Sequence, residues 1–178
     1  MNPTARHFLL VSCLSVCMGS LQAQPEADSV RSIRAAVRAI DQDRSLRKVK
    51  LENEAFLEPE TIDGGGELTG SFHGRKLVKI ECWLGLSQGI ETKSYYFRNG
   101  RLLFVYEAFR QFCYDTAREA WDYNRLTRTF EGRYYFAGGT CIRQLVRGTN
   151  RHEEESADPL KAFTDQAAAY RHRLAAPR

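Results

Sequence analysis

The chain has 178 residues and a formal net charge of +4, with 26 Lys and Arg against 22 Asp and Glu. That length holds one domain with a substantial core. The small, interspersed positive excess gives no argument for a nucleic acid or polyanion partner, and its longest basic cluster, Arg47-Lys48 with Lys50, reads as a solvated face.

Arg6 and His7 precede an apolar stretch, Phe8 to Met18, and Leu21-Gln22-Ala23 places a small residue before Gln24. This is the layout of an export signal cleaved near Ala23. It is too short for a permanent span of about 20 residues. Residues 1–23 are thus expected to leave a single mature domain, 24–178, that is periplasmic or secreted and has no transmembrane span. A lipid anchor at Cys13 or Cys17 is the minor alternative.

Residues 29–41 place Val30, Ile33, Val37 and Ile40 at helical spacing, with Arg31, Arg34 and Arg38 on the other side. Asp28 or Ser29 is the expected cap. Arg47–Glu52 alternates like a short strand. Thr61 to Gly66 is a turn lacking the Gly-Lys-Ser/Thr ending of a phosphate loop. A dense β-region follows, with strands expected at 67–72, 76–84, 91–97 and 101–109, then 126–136 and 141–146. Residues 111–125 read as a loop or short helix, with Trp121 lidding one edge of the core. Residues 147–157 form a polar connection. Asp158, Pro159 and the stripe Leu160, Phe163, Ala167, Tyr170 and Leu174 mark a closing helix.

An aromatic hairpin motif recurs within this region, as Tyr95-Tyr96-Phe97-Arg98-Asn99-Gly100-Arg101-Leu102 and Tyr134-Tyr135-Phe136-Ala137-Gly138-Gly139-Thr140-Cys141. A reduced copy is Phe72-His73-Gly74-Arg75-Lys76-Leu77. Asn-Gly and Gly-Gly supply the positive φ of two-residue turns. Such a turn at Asn99-Gly100 pairs Phe97 with Leu102, Tyr96 with Leu103 and Tyr95 with Phe104. Both faces of the hairpin are then apolar, which calls for helical covers. The expected fold is α+β, an antiparallel meander of about six strands flanked by an N-terminal and a C-terminal helix.

Beyond the signal the cysteines are Cys82, Cys113 and Cys141. An odd number leaves at least one thiol unbridged within the chain. A Cys113–Cys141 disulfide is favoured, because Cys82 alternates with Val78 and Ile80 on a core face. No CxxC or paired histidine gives metal-ligand spacing, and no cofactor is implied. The carboxylates Glu52, Glu54, Glu58, Glu60 and Asp63 read as solvated acids.

Gly85-Leu86-Ser87-Gln88-Gly89 matches a serine-hydrolase elbow in letters, but a strand-like segment follows where a helix is needed. His152 and His172 are the only histidines downstream. Tyr95, Tyr96, Tyr134, Tyr135 and Trp121 are the candidate ligand-contacting residues, since tyrosine offers flat apolar area with a polar tip. Their alternative role is cross-strand packing.

Tyr95-Tyr96-Phe97-Arg98-Asn99-Gly100-Arg101-Leu102 resembles the variant MORN-type repeats of bacterial secreted proteins. The mature chain is also similar to a family of uncharacterised secreted bacterial proteins. It shares Ile33-Arg34-Ala35-Ala36-Val37-Arg38-Ala39-Ile40, Asp63-Gly64-Gly65-Gly66-Glu67-Leu68-Thr69-Gly70 and Glu131-Gly132-Arg133-Tyr134-Tyr135-Phe136. The resemblance implies antiparallel hairpins and brings no catalytic residues. The expected role is a non-enzymatic binding module with a protein or glycan partner in the envelope. The alternatives are a small serine hydrolase using Ser87 and a self-assembling structural protein.

Overall fold

In the computed structural model the described residues are 23–56, 64–149 and 159–175. The elements are α1 (Ala23–Gln42), β1 (Arg47–Glu52), a 3₁₀ turn (Asn53–Ala55), β2 (Gly66–His73), β3 (Lys76–Leu86), β4 (Gly89–Arg98), β5 (Arg101–Asp115), β6 (Ala120–Ala137), β7 (Thr140–Gly148) and α2 (Pro159–Ala175). The strands form one antiparallel sheet in sequence order. This is the expected α+β meander with a seventh strand, because β1 pairs with β2 from Arg47–Phe72 to Glu52–Glu67. Residues 1–22 of the expected signal, most of the polar connection and the cap at Asp158 lie outside the described residues. Helix α1 starts at Ala23, not at Ser29, so Asp28 lies within the helix and pairs with Arg31 at 3.4 Å.

Three hairpins share one construction. Asn99 and Gly100 have φ of 52° and 77°, and Gly138 and Gly139 have 61° and 87°. Positive φ at both central residues gives a turn whose twist matches the strands it joins. The β2–β3 turn is Gly74-Arg75, one residue later than expected, with positive φ at Gly74 alone. Past each turn the return strand carries one extra residue, with register shifts at Ser71/Phe72, Tyr96/Phe97 and Tyr135/Phe136. The Phe97–Leu102 pair therefore forms as expected, but Tyr96 pairs with Phe104 and Tyr95 with Val105. Pairing with Tyr95 would have put Phe104 on the Tyr95 face, but the bulge turns it over, so Leu103 and Phe104 both serve the α1 side.

Two apolar layers result. On one face Leu68, Ile80, Tyr95, Phe97, Val105, Tyr134 and Phe136 pack against Phe163, Ala167 and Leu174 of α2. On the other, Tyr96, Leu103, Phe104 and Tyr135 pack against Val30 and Ile33 of α1. Leu68, Ile80 and Val105 are fully buried, each worth roughly 1.5–3 kcal/mol relative to exposure. Helix α2 sits close to β2 because Gly70 has no side chain; a Cβ there would lie 2.9 Å from Leu174 Cδ1.

The segment expected as a loop or helix is strand. Strand β4 ends its pairing at Gln111 and β7 ends at Phe130, so 112–129 continues as a two-stranded ribbon closed by a turn at 116–119. Asp115 Oδ1 accepts from Ala117 N at 2.9 Å and Arg118 N at 3.2 Å, which fixes that turn. Trp121 packs edge-on to Tyr114, ring centres 5.2 Å apart, and does not lid the core. The polar letters of 111–125 hide a β-ladder that alternates aromatic and polar positions.

Candidate functional site

Helix α1 covers only the part of its sheet face near the Asn99-Gly100 and Gly138-Gly139 turns. Beside its C-terminal half, between α1 and strands β5 to β7, lies a cleft of about 630 Å³. Helical spacing brings Arg34, Arg38 and Asp41 along one side of it. Strand alternation brings Glu131, Arg133 and Tyr135 of β6 to the same face, and register sets Arg147 of β7 opposite Glu131. Arg128 completes the wall, and Tyr106 lies on the floor. Five arginines and two acids thus line one concavity.

The floor is held by a polar network. Arg34 Nε donates to Tyr135 Oη at 3.1 Å, with its guanidinium 5.4 Å from the ring centre. Tyr96 Oη donates to Asp41 Oδ1 at 3.0 Å. Asp41 also pairs with Lys79 at 2.8 Å, and Lys79 with Glu81 at 2.7 Å. Burial disfavours the Lys79 charge, but the two carboxylates outweigh it and hold its pKa above the ordinary lysine value. Burial raises the Tyr96 phenol well above its usual value, with Asp41 adding to the shift. Tyr106 is raised too, again first by burial. Both remain neutral donors at ordinary pH.

Glu131 is buried and takes Arg133 at 2.5 Å and Arg128 at 3.3 Å. Arg133 also lies 5.5 Å from the Tyr106 ring centre. Among the described residues, neither Arg38 nor Arg147 has a carboxylate partner. The lining contains no serine, cysteine or histidine. Chemically the cleft offers forked donors for an anion, set beside tyrosine rings.

A slightly larger cavity, about 700 Å³, lies between the N-terminal half of α1 and the 98–101 and 137–139 turns. Its charged groups are Asp28, Arg98 and Arg101, without the same convergence.

The tyrosines singled out by sequence divide between the faces. Tyr96 and Tyr135 line the cleft. Tyr95 and Tyr134 are buried under α2, Tyr95 Oη bonding to Gln166 and the Tyr134 ring lying 4.6 Å from that of Phe163. Tyr134 Oη donates to Glu107 Oε1 at 2.7 Å. Trp121 stands on the distal ribbon, so these five do not share one surface.

The Cys113–Cys141 disulfide is not formed; Cys82, Cys113 and Cys141 are all free thiols. Cys141 lies at the turn end of the sheet and pairs with Phe136, whereas Cys113 lies on the ribbon and pairs with Asp122. Tyr135, beside that turn, pairs with Phe104, and from there β5 runs on to Cys113, roughly 30 Å at ~3.3 Å per residue. A bridge needs Cα atoms within about 7 Å.

Ser87 is exposed in the turn joining β3 to β4, a strand-to-strand turn where an elbow requires strand to helix. His73 sits at the opposite end of β3, and His172 is exposed on α2.

The arginines escaped sequence reasoning because three separate elements supply them. The usable signal was the β6–β7 register, which sets Arg133 against Leu145 and Glu131 against Arg147. Comparison with protein-family models, with curated proteins and with solved structures finds no match.

Proposed function

We propose that this chain is an exported, non-enzymatic binding module whose ligand presents acidic groups to the cleft between α1 and β5–β7. One observation carries this: five arginines from three elements converge on a cleft floored by tyrosines, with only two acids against them. Arginine forks match carboxylate and phosphate oxygens two at a time. Charge gathered this way is costly unless something offsets it, and a bound anion does so. The export signal expected at residues 1–23 supports a location in the periplasm or outside the cell, and the hairpin resemblance to MORN-type repeats agrees with a scaffold that presents a surface.

Isothermal titration calorimetry with digalacturonate at low ionic strength tests this. Binding is expected in the wild type, weakened roughly tenfold or more by Arg38→Ala with Arg147→Ala, and weakened by added salt. Equal binding by wild type and double variant, or none by either, contradicts it.

A further inference from the structure

The cleft is one end of a longer track. From Phe104 to Tyr114, β5 alternates without interruption, because both register shifts in this stretch of the β5–β6 ladder add residues to β6. Phe104, Tyr106, Ala108, Arg110, Phe112 and Tyr114 therefore lie in one column on the α1 face. Helix α1 covers its start at Phe104, Tyr106 packs against the same cluster, and Ala108 is buried. Beyond Phe104 the column carries ring, methyl, guanidinium, ring and ring in order.

The far end is aromatic. Phe112 and Tyr123 meet edge-to-face with centres 5.0 Å apart, and Tyr114 meets Trp121 in the same way. Tyr114 and Tyr123 are 51% and 64% exposed, unusual for large rings with apolar neighbours to pack on.

The middle is positively charged. Arg110 pairs directly across from Arg128, and like charges set opposite each other destabilise a ladder. Arg128 reaches Glu131, but among the described residues Arg110 has no carboxylate partner. From Tyr106 to Tyr114 the track spans about 26 Å at ~3.3 Å per residue.

Flat rings at one end and forked cations at the middle and other end suit a chain of rings that carries acids at intervals. Resting on the cleft's function as proposed above, we infer that an acidic polysaccharide lies along this column. Its carboxylate or sulfate groups occupy the arginine cleft and the Arg110–Arg128 pair, and its sugar rings stack on the ribbon aromatics. The apolar face of a sugar packs on an aromatic ring much as another side chain does. A single-stranded nucleic acid shares some of this chemistry, but the expected export favours the polysaccharide.

The test is a chain-length series on the full mature protein. Calorimetry would compare digalacturonate, a longer oligogalacturonate, a sulfated heparin oligosaccharide, neutral dextran and a single-stranded oligodeoxynucleotide. The longer acidic sugars are expected to bind at least ~10-fold tighter than digalacturonate, since linked contacts reinforce one another. Which of the two binds better separates carboxylate from sulfate as the native acid. Tyr114→Ala with Tyr123→Ala, and separately Arg110→Gln, are expected to abolish the length gain while leaving digalacturonate binding unchanged. Arg110 is exposed, so its variant remains informative if the aromatic pair unsettles the ribbon.

Equal affinity for short and long sugars, or a length gain that survives Arg110→Gln, overturns the track while leaving the cleft standing. Tighter binding of the oligodeoxynucleotide than of either acidic sugar overturns the polysaccharide. Failure of digalacturonate itself overturns both.

Discussion

At the scale of single residues, the apolar layer under α2 is built around groups that resist ionisation. Burial pushes the Cys82 thiol up to about 11 from its reference of 9.0, against a partly opposing hydrogen bond to Tyr170. Burial also holds the Tyr95 phenol far above its usual value. A raised folded-state pKa leaves the stability intact below the unfolded value and removes it as pH climbs toward the folded one. For Cys82 that window runs from 9.0 to about 11. Thermal melts from pH 7 to 11 should show constant Tm to about pH 9 and then a decline, with Cys82 contributing on the order of 2 kcal/mol. Cys82→Ala is expected to melt lower at pH 7 and to lose less stability between pH 9 and 11. A wild-type Tm that stays flat to pH 11 contradicts this.

At the scale of elements, the hairpins are local decisions and were accordingly legible. Asn99-Gly100 and Gly138-Gly139 announce their turns because few residues other than Gly and Asn accept positive φ there. Gly100→Val should strain the turn by about 1–2 kcal/mol, lowering Tm by roughly 2–8 °C in a domain of this size. Gly100→Asn should cost much less. A valine variant as stable as wild type would show that the turn does not constrain this hairpin.

The bulges that follow the turns were not legible, since accommodating Leu103 or Ile142 as an extra residue needs no special side chain. One such insertion moved Phe104 from the α2 side to the α1 side. The ribbon at 112–129 was missed for another reason. With no sheet beside it, its exposed alternation of aromatic and polar residues looks like loop composition. Helix α2 was legible from its stripe, and Phe163, Ala167 and Leu174 are buried as that stripe requires. The cleft was illegible for want of register: Arg34, Arg38, Arg128, Arg133 and Arg147 look scattered until strand pairing and helix docking gather them.

At the scale of the whole molecule, the two faces of the sheet differ in kind. The α2 face is closed by a helix that spans from Tyr134, against Phe163, to Gly70, against Leu174. The α1 face is closed only near the turns, and its open remainder carries the arginines and the ribbon aromatics. Among the described residues no helix is long and apolar enough to cross a membrane. A net charge of +4 gave no reason to expect a cluster of five arginines in one cleft, because net charge averages over faces while a cleft depends on local convergence. The asymmetry of the faces, more than any single residue, supports a scaffold with one working surface.

Amide chemical-shift mapping with digalacturonate tests that division most directly. The account predicts perturbations at Arg38, Tyr106, Arg133 and Arg147, with Leu68, Ile80 and Tyr95 on the α2 side unmoved. Perturbations centred on the α2 face or on the 137–139 turn, with the cleft amides unchanged, would contradict it.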